Sequence, residues 1–212
     1  EPAGPFFNLY EPSLSVIISG SKRVRVGDET LLYDESSFFL TTIGLPMTGQ
    51  ICAATKSEPY VAARLRLDLE ALRRLIANHD LHPTDETDAT DRDRGVVVGT
   101  ATPELFDAFW RLISLVNSPD DIPFMAAHIQ TEIFYRLLTG EHGARLRRFA
   151  LGGTNSNRVA KAVAWLKENY AQPLRIESLA EMANMGVSTL HHHFRAMTAM
   201  SPLQFQKHLR LN

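Results

Sequence analysis

Between Ile176 and Leu203 apolar residues return every three or four positions, and the pattern is broken once, at Asn184-Met185-Gly186. That spacing allows two short helices joined by a tight turn and little else. The first starts near Ile176 and turns Leu179, Met182 and Ala183 inward. Ala180 and Ala183 are small enough to let a neighbouring helix approach closely. Gly186 is expected to take the unusual backbone angle of the turn. The second helix, from about Val187 to Met197, buries Val187, Leu190, Phe194 and Met197. It leaves Ser188, Thr189, His191, His192 and Arg195 pointing outward. Short hydroxyls in the first turn, at the positive end of the helix dipole, favour phosphate oxygens and let side chains reach the edges of bases in a major groove.

Helices on both sides complete the unit. Val159, Ala162, Val163, Leu166 and Tyr170 form one stripe from Arg158 to Tyr170, and Gln172-Pro173 stops that helix. Ser201-Pro202 reads as the opening of a fourth helix, with Leu203 and Leu209 closing the small core. The segment 154–212 carries seven Lys or Arg against three Glu, a net charge of +4, whereas the remainder has −6. A basic module joined to an acidic one can exchange its charge for counterions held on a polyphosphate. A plain helical bundle that never meets DNA remains open on this pattern alone.

Upstream the periodicity changes. Leu14 to Ile18, then Val24 and Val26 alternating with Arg23 and Arg25, then Thr30 to Tyr33 read as strands, with Gly27-Asp28 as a turn. Ser36 to Ile43, Gln50 to Thr55 and Tyr60 to Leu67 continue the series, punctuated by Gly44, Pro46, Gly49 and Pro59. Short strands about ten residues apart imply a sandwich or barrel. Asp68 caps a helix from Leu69 to Asn78. The acidic stretch from Asn78 to Arg94, with Asp85, Glu86, Asp88, Asp91 and Asp93, reads as a solvated loop without calcium-loop spacing. Phe106, Phe109, Trp110, Ile113 and Val116 mark one amphipathic helix, and Ile122, Met125, Ile129, Ile133 and Leu137 a second, antiparallel to it. The pair packs on its own barrel or pairs with a second copy.

Other chemistry finds little support. No histidine precedes His79, so the metal-binding set of a catalytic barrel is missing, and no catalytic residue, cofactor or metal is expected. His191, His192 and His193 fan around a helix instead of sharing a face. Cys52, the lone cysteine, sits in an apolar strand as a small hydrophobe. It fits a reducing compartment, and with no signal-peptide pattern and no apolar run long enough to span a bilayer, a cytoplasmic protein with no membrane partner is expected.

These residues carry a resemblance. Leu174 to Ala180, Ala183, Met185, Val187-Ser188, Leu190, Phe194-Arg195, Thr198 and Met200-Ser201-Pro202-Leu203-Gln204-Phe205 resemble the first helix-turn-helix of the AraC/XylS-type transcription regulators. Tyr10 to Leu14, Gly27-Asp28, Leu45 to Gly49, Pro59-Tyr60 and Asp121-Ile122-Pro123 resemble the family's cupin-like N-terminal region. The resemblance implies an α+β fold: a cupin-like β-barrel with a helical pair, then an all-α helix-turn-helix unit. It divides the chain into a regulatory or dimerisation domain at 1–151, a linker at 152–157 and a partial DNA-binding domain at 158–212. It places base or backbone contacts on Ser188, Thr189, His191 and His192, a phosphate contact on Arg195, and dimerisation on Ile122, Met125, Ile129 and Ile133.

The partners so implied are double-stranded DNA, a small-molecule effector, a second copy and RNA polymerase. Many relatives carry arginine at the position of His192, and histidine cannot make the bidentate guanine contact. Family members usually have a second helix-turn-helix. This sequence stops at Asn212, inside the helix opened by Ser201-Pro202, and so reads as truncated. One unit is expected to bind specific DNA weakly. Two rival functions stay open: a non-enzymatic dimerisation or interaction protein without DNA binding, and a metal-free enzyme on a cupin fold.

Overall fold

Alternating and continuous apolar strands settle into different faces of two sheets. The computed structural model describes residues 4–81, 94–152 and 154–211; the acidic segment 82–93 lies outside them. One sheet has the order β1 (Phe6–Tyr10), β6 (Leu45–Ala53), β3 (Ser21–Val26), β4 (Glu29–Asp34). The other has β7 (Val61–Arg66), β2 (Ser13–Ser19), β5 (Ser37–Thr41), β8 (Val96–Thr100), and every pairing is antiparallel. In β3, Lys22, Val24 and Val26 face the core while Arg23 and Arg25 face solvent, as expected of a sheet wet on one side. Most of β2 and β5 is buried on both faces, because helices cover the outside of that sheet.

The two sheets meet through aromatic rings. Phe39 of β5 stacks on Tyr33 of β4 at 5.1 Å and meets Tyr10 of β1 edge-on at 6.0 Å. The spacing implied a sandwich or barrel; the two packed sheets have two strands more than the pattern revealed, β1 and β8. The strand read as starting at Gln50 starts at Leu45. Pro46 is tolerated there because β3 pairs with β6 only from Thr48 onward, leaving Pro46 a neighbour on one side, Leu9 of β1.

The helical layer comprises α1 (Leu69–Asn78), α2 (Pro103–Ser114), α3 (Ile122–Thr139) and α4 (Gly143–Leu151). Asp68 accepts from the amides of Glu70 and Ala71 at 2.9 and 3.0 Å, capping α1 as its sequence implied. Two short 3-10 turns (Leu115–Asn117 and Pro119–Asp121) make α2 and α3 antiparallel, and Arg111 of α2 reaches Glu132 of α3 at 2.6 Å. The α4 helix was not anticipated. It is tied to α1 where Arg73 Nε donates to the Ala150 carbonyl at 2.7 Å.

The remaining helices are α5 (Thr154–Asn169), α6 (Ile176–Met182), α7 (Val187–Thr198) and α8 (Pro202–Arg210). The expected linker 152–157 needs correction, since residues 154–157 already form the first turn of α5. Asparagines and serine there serve as a helix start. Among the described residues no helix is long and apolar enough to cross a membrane.

Candidate nucleic-acid interface

The turn between α6 and α7 is fixed by backbone hydrogen bonds. Asn184 takes the left-handed conformation (φ 54°), its amide donates to Glu181 O at 2.9 Å, and the Met185 amide donates to Ala180 O at 2.9 Å. This crossed pair is a Schellman ending, with asparagine in the place glycine often takes. Gly186, expected to take the unusual angle, is extended (φ −71°) and instead offers its carbonyl to the Leu190 amide at 2.8 Å, starting α7.

Within α7, Leu190, Phe194, Met197 and Thr198 are buried. Phe194 meets Phe205 of α8 edge-on at 5.5 Å. Three expectations are corrected here. Val187 and Met182, the first residue of α7 and the last of α6, are exposed. Phe205, not Leu203, closes the core; Leu203 is 54% exposed, while Leu209 packs against the core as expected. Ser201 and Gln204 form a capping box, with bonds of 3.2 and 2.8 Å, that sets the phase of α8 and turns Phe205 inward. Gln206 and Arg210 of α8 then donate to the carbonyls of Tyr170 and Gln172 beyond the end of α5, at 2.6 to 3.0 Å. These bonds tie α8, and with it α7, to the end of α5.

The opposite side of α7 is open. Ser188, Thr189, His192 and Arg195 are exposed and His191 is half-buried, so the five candidates do share one helix, with His191 at its margin. His193 turns back toward α5, where it pairs with Asn155 at 3.0 Å, and its ring meets that of His192 edge-on at 5.1 Å. No group of three or more metal-ligating side chains gathers among the described residues. Lys161, Arg175 and Lys207 are also exposed, which spreads positive charge around the module.

The dimerisation candidates do not stay together. Ile129 is 4% exposed and Ile133 fully buried, because this half of α3 packs into the core beside Phe134, Leu137 and Leu138. These two are core residues, which corrects the expectation. Ile122 and Met125 remain at the surface, near Phe124 (67% exposed). On α2, Leu105, Ala108 and Phe109 are the buried residues, while Trp110 (63% exposed) and Ile113 face out, as does Val116 in the 3-10 turn that follows.

A second convergence of polar groups lies inside the β unit. Lys22 Nζ donates to Tyr10 Oη at 2.6 Å and sits 4.9 Å from the centre of the Phe6 ring. Arg64 lies 4.9 Å over the ring of Tyr10. Burial, and then the nearby Arg64 charge, lowers the Lys22 ammonium to a pKa of about 8. Burial pushes the Tyr10 phenol up to about 12 and raises those of Tyr33 and Tyr60 as well. Gly49 leaves room for this lysine, since a methyl there would meet Lys22 Cε at 2.9 Å. The same alternation that turned Val24 and Val26 inward would have found Lys22.

Residues 1–145 match the family described as the AraC-type transcriptional regulator N-terminus. The chain belongs to the AraC-type transcriptional regulators. It is similar to the HTH-type transcriptional activator RhaS of Salmonella schwarzengrund, 29% identical over 104 residues that make up 48% of this chain and 36% of that protein. The RhaS of Salmonella paratyphi B is 32% identical over 69 residues, covering 31% and 25%. The match thus spans about a third or less of these curated relatives. Among solved structures, ToxT from Vibrio cholerae aligns with a TM-score of 0.38 at 11% identity over 96% of this chain and 93% of that one. The AraC-like transcriptional activator CuxR aligns at 0.35 and 12% over 96% and 66%.

Proposed function

We propose that this AraC-type regulator reads DNA through the exposed face of α7. Ser188, Thr189, His191 and His192 approach base edges or backbone in one major-groove segment, and Arg195 holds a phosphate. The observation that carries this reading is the division of α7 itself. Leu190, Phe194 and Met197 are locked in the core while short polar side chains and one arginine stand free on a helix that cannot rotate. The +4 charge of the segment 154–212 supports it. In this reading 1–151 is the regulatory part and the helices from α5 onward the DNA-binding part. The β unit takes a small-molecule effector, and the exposed residues of α2 and the start of α3 receive a second copy. Ile122 and Met125 stay in that surface, joined by Trp110, Val116 and Phe124.

Fluorescence anisotropy with a labelled duplex at low ionic strength tests the DNA contact. Arg195→Ala should weaken binding to all sequences alike and reduce the salt dependence by about one phosphate. Ser188→Ala with His192→Ala should lower affinity and reduce discrimination between duplexes. Parent-like binding by both variants would refute the assignment.

A further inference from the structure

The C-terminal end of α7 is closed only in part by its own module. The last carbonyls of a helix lack partners within it. Here the Ala199 amide returns to Arg195 O at 2.9 Å, and the Thr198 hydroxyl donates to Phe194 O at 2.7 Å. The Met197 carbonyl is taken by the amide of Gly95, immediately before β8, at 2.9 Å. Gly95 is in turn pinned to the β unit. Its carbonyl accepts from the amide and hydroxyl of Thr42, at 2.9 and 3.2 Å. Arg94 beside it pairs with Glu29 of β4 at 2.8 Å, and its carbonyl receives the Arg145 guanidinium of α4.

A second contact sits next to the first. Ala199 is left-handed (φ 57°), a conformation unfavourable for a residue with a Cβ, and Gly27, also left-handed (φ 60°), lies directly against it. A methyl on Gly27 would come within 2.4 Å of Ala199 O, and one on Gly95 within 2.9 Å of Met197 O and 2.8 Å of Ile43. Both glycines therefore admit the backbone of the helix end. Lys167 of α5, paired with Glu11, adds an ion pair across the same junction.

We propose that these contacts form a backbone latch by which the β unit fixes the orientation of α7. The β3–β4 turn at Gly27 and the 94–95 segment hold the helix by its C-terminal cap. Ser188, at the other end, and His192, midway along the helix, stay uncovered, so the latch orients the DNA-reading surface without hiding it. Whatever moves the β3–β4 turn, Arg94 or Arg145 then acts on the recognition helix through the Met197 and Ala199 backbone. The regulatory meaning of the latch rests on the DNA-reading proposal; its existence does not.

The test is made without DNA, so that it fails independently of that proposal. In a Cys52→Ser background, spin labels at Leu32→Cys on β4 and Glu177→Cys on α6 report the distance between the two parts by pulsed electron paramagnetic resonance. A single narrow distribution is expected for the latched chain and a broad one after Gly27→Ala or Gly95→Ala, with circular dichroism showing both variants folded. Retention of the narrow distribution in either folded variant would overturn the latch. Should both variants unfold, amide hydrogen exchange on the unsubstituted chain decides. The Gly95 amide must be as protected as that of Thr42, and exchange at the rate of a free loop would overturn the proposal.

Discussion

Replacing Lys22 by methionine should abolish a rise in stability expected of the parent chain on the alkaline side of neutrality. In the unfolded chain this lysine holds its proton up to its ordinary pKa of 10.5, whereas the folded environment lowers it to about 8. Between those values the unfolded state binds more protons than the folded one, so the free energy of unfolding increases with pH. Below pH 8 both states are protonated, and the full cost of burying the ammonium is present. At 1.36 kcal/mol for each tenfold change in proton affinity, Lys22 alone contributes a gain of about 2 kcal/mol from pH 8 to pH 10, part of which the tyrosines offset as pH 10 is approached. Above pH 10 the trend reverses. Unfolded tyrosines lose their protons there, while buried Tyr10 keeps its own up to about 12.

Urea denaturation at closely spaced pH values measures the slope directly. In Lys22→Met the rise should vanish, whatever the absolute stability. That level is set by two opposed effects, the ammonium removed and the Tyr10 hydroxyl left without its partner. A flat parent profile from pH 8 to 10, or a rise that survives in Lys22→Met, would refute the reasoning.

Other outcomes follow from packing and backbone. Phe205→Ala removes a fully buried ring packed on Phe194 and should cost about 3–5 kcal/mol in chemical denaturation; a loss below about 1 kcal/mol would show that α8 does not close this core. Ile129→Glu should unfold the chain, because the carboxylate would be buried without a partner, whereas Trp110→Glu should leave it folded and weaken self-association in sedimentation velocity. An unfolded Trp110→Glu, or self-association unchanged by it, would remove that residue from the proposed surface between copies. At Asn184, valine should destabilise by about 1–2 kcal/mol and glycine should be tolerated, since only the left-handed backbone distinguishes them. Equal thermal midpoints for the two would contradict the Schellman turn.

The helix-turn-helix was legible because Leu190, Phe194 and Met197 keep a strict helical interval and Ser201-Pro202 announces the next helix. Its finer phase was not. The capping box decides that Phe205 faces inward, and a list of leucines does not reveal it. On α2 and α3 the apolar residues outnumber the places in the core, so spacing alone could not say that Ile129 is buried while Trp110 is exposed. The β6 strand was obscured by Pro46 and Gly49, each admitted by its neighbours: the end of β3 for the proline, Lys22 for the glycine. The role of Gly27 and Gly95 at the junction could not be read at all. It depends on chain segments about a hundred residues or more apart meeting backbone to backbone.

Selection from a library of randomised duplexes, run on the parent chain and on His192→Arg, tests the central claim most directly. If α7 reads bases, both proteins should enrich a short motif, and the arginine variant should gain a preference for guanine at one position while the rest of the motif persists. Identical motifs from both proteins, or no enrichment by either at low salt, would contradict it.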